Sequence, residues 1–82
     1  MLQSAGESTG AQGATRVVER SATVLSRPNG RNAQALGLVY KGQVVVVQGH
    51  WGKWCRIEWF DLRDRSSKVG WVLKKYLTRV QK

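Results

Sequence analysis

The chain has 82 residues, with 14 Lys and Arg against 5 Asp and Glu and a net charge of +9 at pH 7. A chain this short is a single domain that buries only roughly 60% of its unfolded surface, which leaves no room for a separate catalytic domain. Its single cysteine excludes an internal disulfide and a four-cysteine zinc site, and 41% apolar residues with four tryptophans exclude a disordered polypeptide.

The positive charge favours acidic partners: nucleic acid, teichoic-type polymers, anionic membrane surfaces or acidic proteins. No apolar run approaches the ~20 residues that span a bilayer as a helix. Residues 1–20 carry neither the basic start nor the roughly 7–15-residue apolar core of a secretory signal.

In chain order, residues 1–15 are mostly Ser, Gly, Ala, Gln and Thr. Nothing there offsets the entropy of ordering, so this segment reads as a flexible linker or lead-in, and residues 16–82 as the folded domain. Arg16-Val17-Val18 and Thr23-Val24-Leu25 are short β-type runs, and Ser26-Arg27-Pro28-Asn29-Gly30 has the composition of a turn. Arg31 to Leu36 is compatible with a helical turn ended by Gly37. After Leu38-Val39-Tyr40 and a Lys41-Gly42 turn, Val44 to Val47 is a run of four β-branched residues, which predicts a strand covered on both faces or crossing between packing surfaces.

His50-Trp51-Gly52-Lys53 reads as the next connection. Trp54 to Phe60 has a period of two that sends Cys55, Ile57 and Trp59 to the core face, and Trp54, Arg56, Glu58 and Phe60 to the other. Asp61 to Lys68 is predicted as a long charged hairpin loop. The stretch from Val69 to Leu77, VGWVLKKYL, reads as a final strand, a tight turn and a closing aromatic, with Thr78 to Lys82 as a basic tail. Val44 to Gln48 and Trp54 to Phe60 are the strands expected to pair with it. Five to seven short strands with almost no helical period predict an all-β fold, a small closed barrel.

The blocks Val24-Leu25-Ser26-Arg27-Pro28, Lys41-Gly42-Gln43-Val44, Lys53-Trp54-Cys55-Arg56-Ile57 and Gly70-Trp71-Val72-Leu73-Lys74-Lys75-Tyr76-Leu77 together resemble the bacterial SH3 (SH3b) family. The resemblance runs from about Arg16 to Thr78 and is most specific in its last block. Leu25 stands where the family usually has Arg, Arg27 where it has Gly, and Lys53 in place of the Gly before Trp54. The resemblance implies an SH3-like barrel without catalytic activity or cofactor, commonly appended to cell-wall hydrolases and envelope proteins. It favours a location in the cell envelope or outside the cell.

Catalytic groups are scarce: His50 is the sole histidine, and Cys55 has the inward parity of a structural thiol. The chain has too few ligands for a metal site. A binding groove is the stronger reading. Tyr40, Trp51, Trp54, Trp71 and Tyr76 fall at strand ends or in turns, where rings stack on sugars, peptides or bases. Arg56, Arg63, Arg65, Lys68, Lys74 and Lys75 form the expected basic rim, converging near the 61–68 hairpin and the final turn. The partner predicted first is cell-wall polymer (peptidoglycan) or an envelope protein. Nucleic acid is the alternative, because basic residues interleaved with aromatics supply both phosphate contacts and stacking. A protein of the same assembly is the third reading, and the scarcity of acidic residues points to an acidic partner there.

Overall fold

The computed structural model describes residues 13–80, so most of the predicted lead-in and the last two residues of the predicted tail lie outside the described residues. The described residues form seven strands: β1 (Ala14–Val18), β2 (Ala22–Leu25), β3 (Ala35–Val39), β4 (Val44–Trp51), β5 (Trp54–Asp61), β6 (Ser66–Leu73) and β7 (Leu77–Arg79). A 3₁₀ turn, Lys74–Tyr76, joins the last two. All pairings are antiparallel, in the order β3-β2-β6-β5-β4-β1-β7. The architecture is the small SH3-like barrel that the alternating short runs predict.

The core is built from β-branched residues on successive inward positions. Val18, Val24, Val39, Val45, Val47, Ile57 and Val72 are buried with Cys55 and Trp59. Each fully buried valine contributes about 1.5–3 kcal/mol relative to an exposed one. The predicted parity of β5 holds, with Cys55, Ile57 and Trp59 inside and Arg56 and Phe60 exposed. The four valines of β4 alternate instead of being covered on both sides: Val45 and Val47 are buried, whereas Val44 is 55% exposed.

Six predicted boundaries change. Ala14 and Thr15, expected in the lead-in, belong to β1 and pair with Val47 and Val46 of β4. Arg31 to Leu36 contains no helical turn; its base is closed by Ser26 N donating to Gln34 O at 2.9 Å and by Gln34 N donating to Ser26 Oγ at 2.9 Å, and β3 follows. Gly37 lies inside β3, where it permits a close approach. A Cβ there would sit 2.5 Å from Asp61 Oδ2 and 3.1 Å from the Trp59 ring, so the glycine lets β3 curl over the inner face of β5. His50 and Trp51 belong to β4, leaving Gly52-Lys53 as the turn. The charged hairpin shrinks to residues 62–65, because β5 runs through Asp61 and β6 starts at Ser66. Leu77–Arg79 is a strand on β1, not a tail, and β6 is therefore not the final strand. Of the two strands expected to pair with β6, β5 does; β4 pairs with β5 and β1.

The hydrogen-bonded order ends at β3 and β7, so curling rather than a continuous ladder brings the barrel together. Asp61 fastens one end. It continues the inward parity of β5 and is only 2% exposed. Its carboxylate accepts from Lys68 Nζ at 2.8 Å and from the backbone N–H of Arg63 at 2.9 Å and of Asp64 at 3.4 Å. Lys68 Nζ also donates to Leu36 O of β3 at 3.1 Å and pairs with Asp64. The hydrogen bond from Lys68 holds the Asp61 carboxyl below its ordinary pKa against the opposing effect of burial, and the Asp61 and Asp64 hydrogen bonds raise that of Lys68.

Candidate functional site

The end of β5 opposite Asp61 is open. Trp54 begins β5 on the outer face and stands directly across from Trp51 on β4 and Leu73 on β6. Directly opposed residues share a face of the sheet, so these three side chains form one apolar row. Beyond it, β2 meets β6 in register only at Leu25 and Trp71. The two strands then separate and leave a groove along the row.

Two clefts make up this groove, and both have Trp54 and Leu73 in their walls. One, of about 470 Å³, is bounded by Asn29, Lys53 and Lys75. The other, of about 280 Å³, lies against Thr23, Leu25 and Tyr76. The Lys75 ammonium stands 5.6 Å from the centroid of the Tyr76 ring, and both residues continue into a further depression beside Glu19 and Arg20. The arrangement suits an extended, mostly neutral ligand with polar groups: flat apolar walls for stacking, with ammonium groups at the margin.

Backbone geometry sets these positions. Lys74 N donates to Lys53 O at 2.8 Å, tying the 3₁₀ turn to the β4–β5 turn. Asn29, with φ 62°, and Gly30, with φ 78°, turn the β2–β3 connection toward the groove, and Arg31 N donates to Asn29 Oδ1 at 3.0 Å. Gly70 explains the glycine of the Gly-Trp-Val block: a Cβ there would lie 2.5 Å from Val24 Cγ1 and 2.9 Å from Leu25 O, blocking the contact of β6 with β2.

The predicted aromatics divide accordingly. Trp54 and Tyr76 line the groove, and Trp51, 56% exposed, extends its row. Trp71 is half-buried on the same face, opposite Arg56 on one side and Leu25 on the other. Tyr40 lies apart from both clefts, on the β3–β4 turn, where its N–H donates to Gln43 Oε1 at 3.1 Å. Leu25, Leu73, Asn29 and Lys53 also line the walls, beyond the aromatics and basic residues predicted as the site. Leu73 had a legible signal, since it shares the parity of Trp71.

The six predicted rim residues do not converge. Lys74 and Lys75 follow β6 near Trp54, and Arg56 is exposed beside Trp71. Arg63 and Arg65 occupy the hairpin tip at the other end of β5, about 23 Å away at ~3.3 Å per residue. Lys68 is engaged by Asp61 and Asp64.

The family model of the bacterial SH3 domain matches residues 21–78. The chain belongs to the bacterial SH3 domain family. No curated protein and no solved structure matches this bacterial SH3 domain. Membership makes it a binding module, and its matched span contains the whole aromatic groove from Ser21 to Tyr76.

A larger cleft, about 590 Å³, lies elsewhere, on the inner side of the 3₁₀ turn, and has no Trp, Tyr or Phe in its lining. Cys55 and His50 meet there, with Sγ 3.6 Å from Nδ1. Burial pushes the Cys55 thiol up in pKa, while the charges of Lys74 and Arg16 act in the opposite direction. A buried thiol kept protonated is a poor nucleophile. No cluster of three or more His, Cys, Asp or Glu suited to a metal occurs among the described residues, and no helix among them is long and apolar enough to cross a membrane.

Proposed function

We propose that this bacterial SH3 domain is a non-catalytic module that binds cell-wall peptidoglycan or an envelope protein along the groove formed by Trp51, Trp54, Leu73 and Tyr76. The observation that carries this reading is the pair of clefts sharing Trp54 and Leu73 on the outer face, edged by Lys53 and Lys75. Stacking on rings already fixed by strand pairing costs little conformational entropy, which suits recognition of sugars and short peptides. Trp71 and Arg56 extend the surface along β5 and β6, and Tyr40 contributes at most to a longer ligand.

The nucleic-acid alternative draws on the +9 charge. It needs a continuous track of cations, and the division of the rim between the two ends of β5 weakens it, as does the pairing of Lys68. The deciding experiment is retention of the full chain on purified peptidoglycan at moderate salt, with single-stranded and duplex nucleic acid as competitors in parallel. Salt-resistant retention undisturbed by nucleic acid supports the wall module. Retention on nucleic acid alone overturns it, and retention on neither leaves a protein partner as the ligand.

A further inference from the structure

The 3₁₀ turn sends consecutive lysines to different clefts: Lys75 to the aromatic groove and Lys74 to the cleft on the inner side. The inner cleft has an unusual feature of register. Arg16 of β1 is paired directly with Arg79 of β7, and both side chains line the cleft. Like charges directly opposite each other destabilise a strand pair. Arg16 also has the inward parity of Val18, opposite buried Val45, and is half-buried, while Arg79 is exposed. Its Nη1 donates to Thr15 O at 2.8 Å, leaving other guanidinium donors to be satisfied.

Lys74 and His50 stand at the same cleft, Thr78 supplies a hydroxyl, and among the described residues no carboxylate is in the lining. The charges of Lys74 and Arg16 both act to lower the pKa of the Cys55 thiol, which lines the same cleft. The two arginines lie outside the residues 21–78 that match the family, so the family pattern does not account for them.

We propose that this inner cleft is an oxyanion site, in which Arg16 and Arg79 hold a phosphate or carboxylate group between them. An oxyanion placed there converts a repulsive cross-strand pair into two charge-assisted contacts, and the planar guanidinium forks suit two-point binding. Lys74 adds a third cation. Val47 and Leu77 offer an apolar wall to the carbon skeleton that carries the anion. The site is independent of the aromatic groove, and its occupancy is read separately.

The test is an NMR titration of the full chain with inorganic phosphate, against sodium chloride at matched ionic strength and pH, with glycerol phosphate and acetate as further arms. Saturable shifts centred on the amides of Arg16, Cys55, Leu77 and Arg79 are expected with phosphate and not with chloride. Arg79→Gln should weaken the apparent affinity about tenfold, the scale of one lost hydrogen bond to a charged group. Arg79→Glu, which sets a carboxylate opposite Arg16, should abolish saturation and raise the melting temperature measured without phosphate. Tighter binding of glycerol phosphate than of acetate assigns the site to phosphoryl groups, and the reverse order assigns it to carboxylates. Shifts that follow ionic strength equally in chloride, or an Arg79→Gln variant that saturates like the wild type, would overturn the proposal. Those two outcomes decide it even if Arg79→Glu fails to fold.

Discussion

At one end of β5 a buried carboxylate, Asp61, is enclosed by Lys68 and two backbone amides; at the other, Trp54 faces a cleft whose cations, Lys53 and Lys75, have no carboxylate partner among the described residues. Both ends read as charged and aromatic in the sequence. The closed end uses its charges to fasten β3, β5 and β6 together, through Lys68 and its bond to Leu36 O. The open end leaves rings and cations facing solvent. Strand parity separates these roles: Asp61 shares the inward face of Cys55, Ile57 and Trp59, and Trp54 the outward face of Arg56. A fully buried charge such as Asp61 must be satisfied by the fold itself, whereas one that keeps access to solvent remains available to a ligand.

The largest effect is expected from Ile57→Asp, midway between the two ends. Ile57 is fully buried, and an unpaired carboxylate there costs on the order of 4–5 kcal/mol, enough to unfold so small a domain. Loss of the cooperative thermal transition in circular dichroism is the expected readout. A folded Ile57→Asp variant would show that the register of β5 is wrong and that the comparison of its ends has no basis.

Next comes Asp61→Asn, which keeps the shape and removes the charge. The Asp61 pKa is depressed on folding, so its contribution is complete above the ordinary value of 3.8 and is lost as pH falls through the lower folded value. The Lys68 pKa is raised, so its contribution is complete below the ordinary 10.5 and is lost as pH rises through the higher folded value. Wild type should therefore be more stable than Asp61→Asn across the neutral range, with the gap closing in acid. Urea midpoints measured from pH 2 to 8 at roughly one-unit intervals, fine enough to follow a single titration, should show that convergence. A constant gap would mean that the Asp61 charge is not what fastens this end.

Much of this contrast is legible in the sequence, and the missed parts have identifiable causes. The period of two in β5 predicts the core face correctly, and continued one step it reaches Asp61, yet a charged residue before Leu62-Arg63-Asp64-Arg65 has the composition of a loop. Gly37 has the composition of a stop, although it is the point where β3 crosses Trp59 and Asp61. β7 has only three residues, Leu77-Thr78-Arg79, and becomes a strand because β1 pairs with it. No local pattern announces that pairing, so the Arg16–Arg79 contact is visible only in three dimensions. At the open end the sequence places Trp51 in a four-residue connection, whereas the structure extends β4 through it and leaves Gly52-Lys53 as the turn. The basic residues are close along the chain but divided in space, because β6 runs antiparallel to β5 from one end to the other.

Smaller effects sharpen the comparison. Trp51→Ala should change stability by less than about 1 kcal/mol, since the ring is mostly exposed, while weakening retention on the ligand. A large fall in the urea midpoint would make Trp51 a packing residue instead. Smallest is Arg65→Gly at the closed end. Arg65 has φ 56°, a conformation that glycine adopts without steric cost, so the variant should gain up to about 1 kcal/mol by urea denaturation. A loss would show that the Arg65 side chain itself holds the hairpin.

The most direct measurement of the central claim compares Trp54→Ala with the double variant Arg63→Ala/Arg65→Ala for retention on purified peptidoglycan, after both are shown to be folded. The open-end account predicts that Trp54→Ala loses retention and that the double variant keeps it. Retention lost in the double variant and kept in Trp54→Ala would place binding at the hairpin tip and contradict the account.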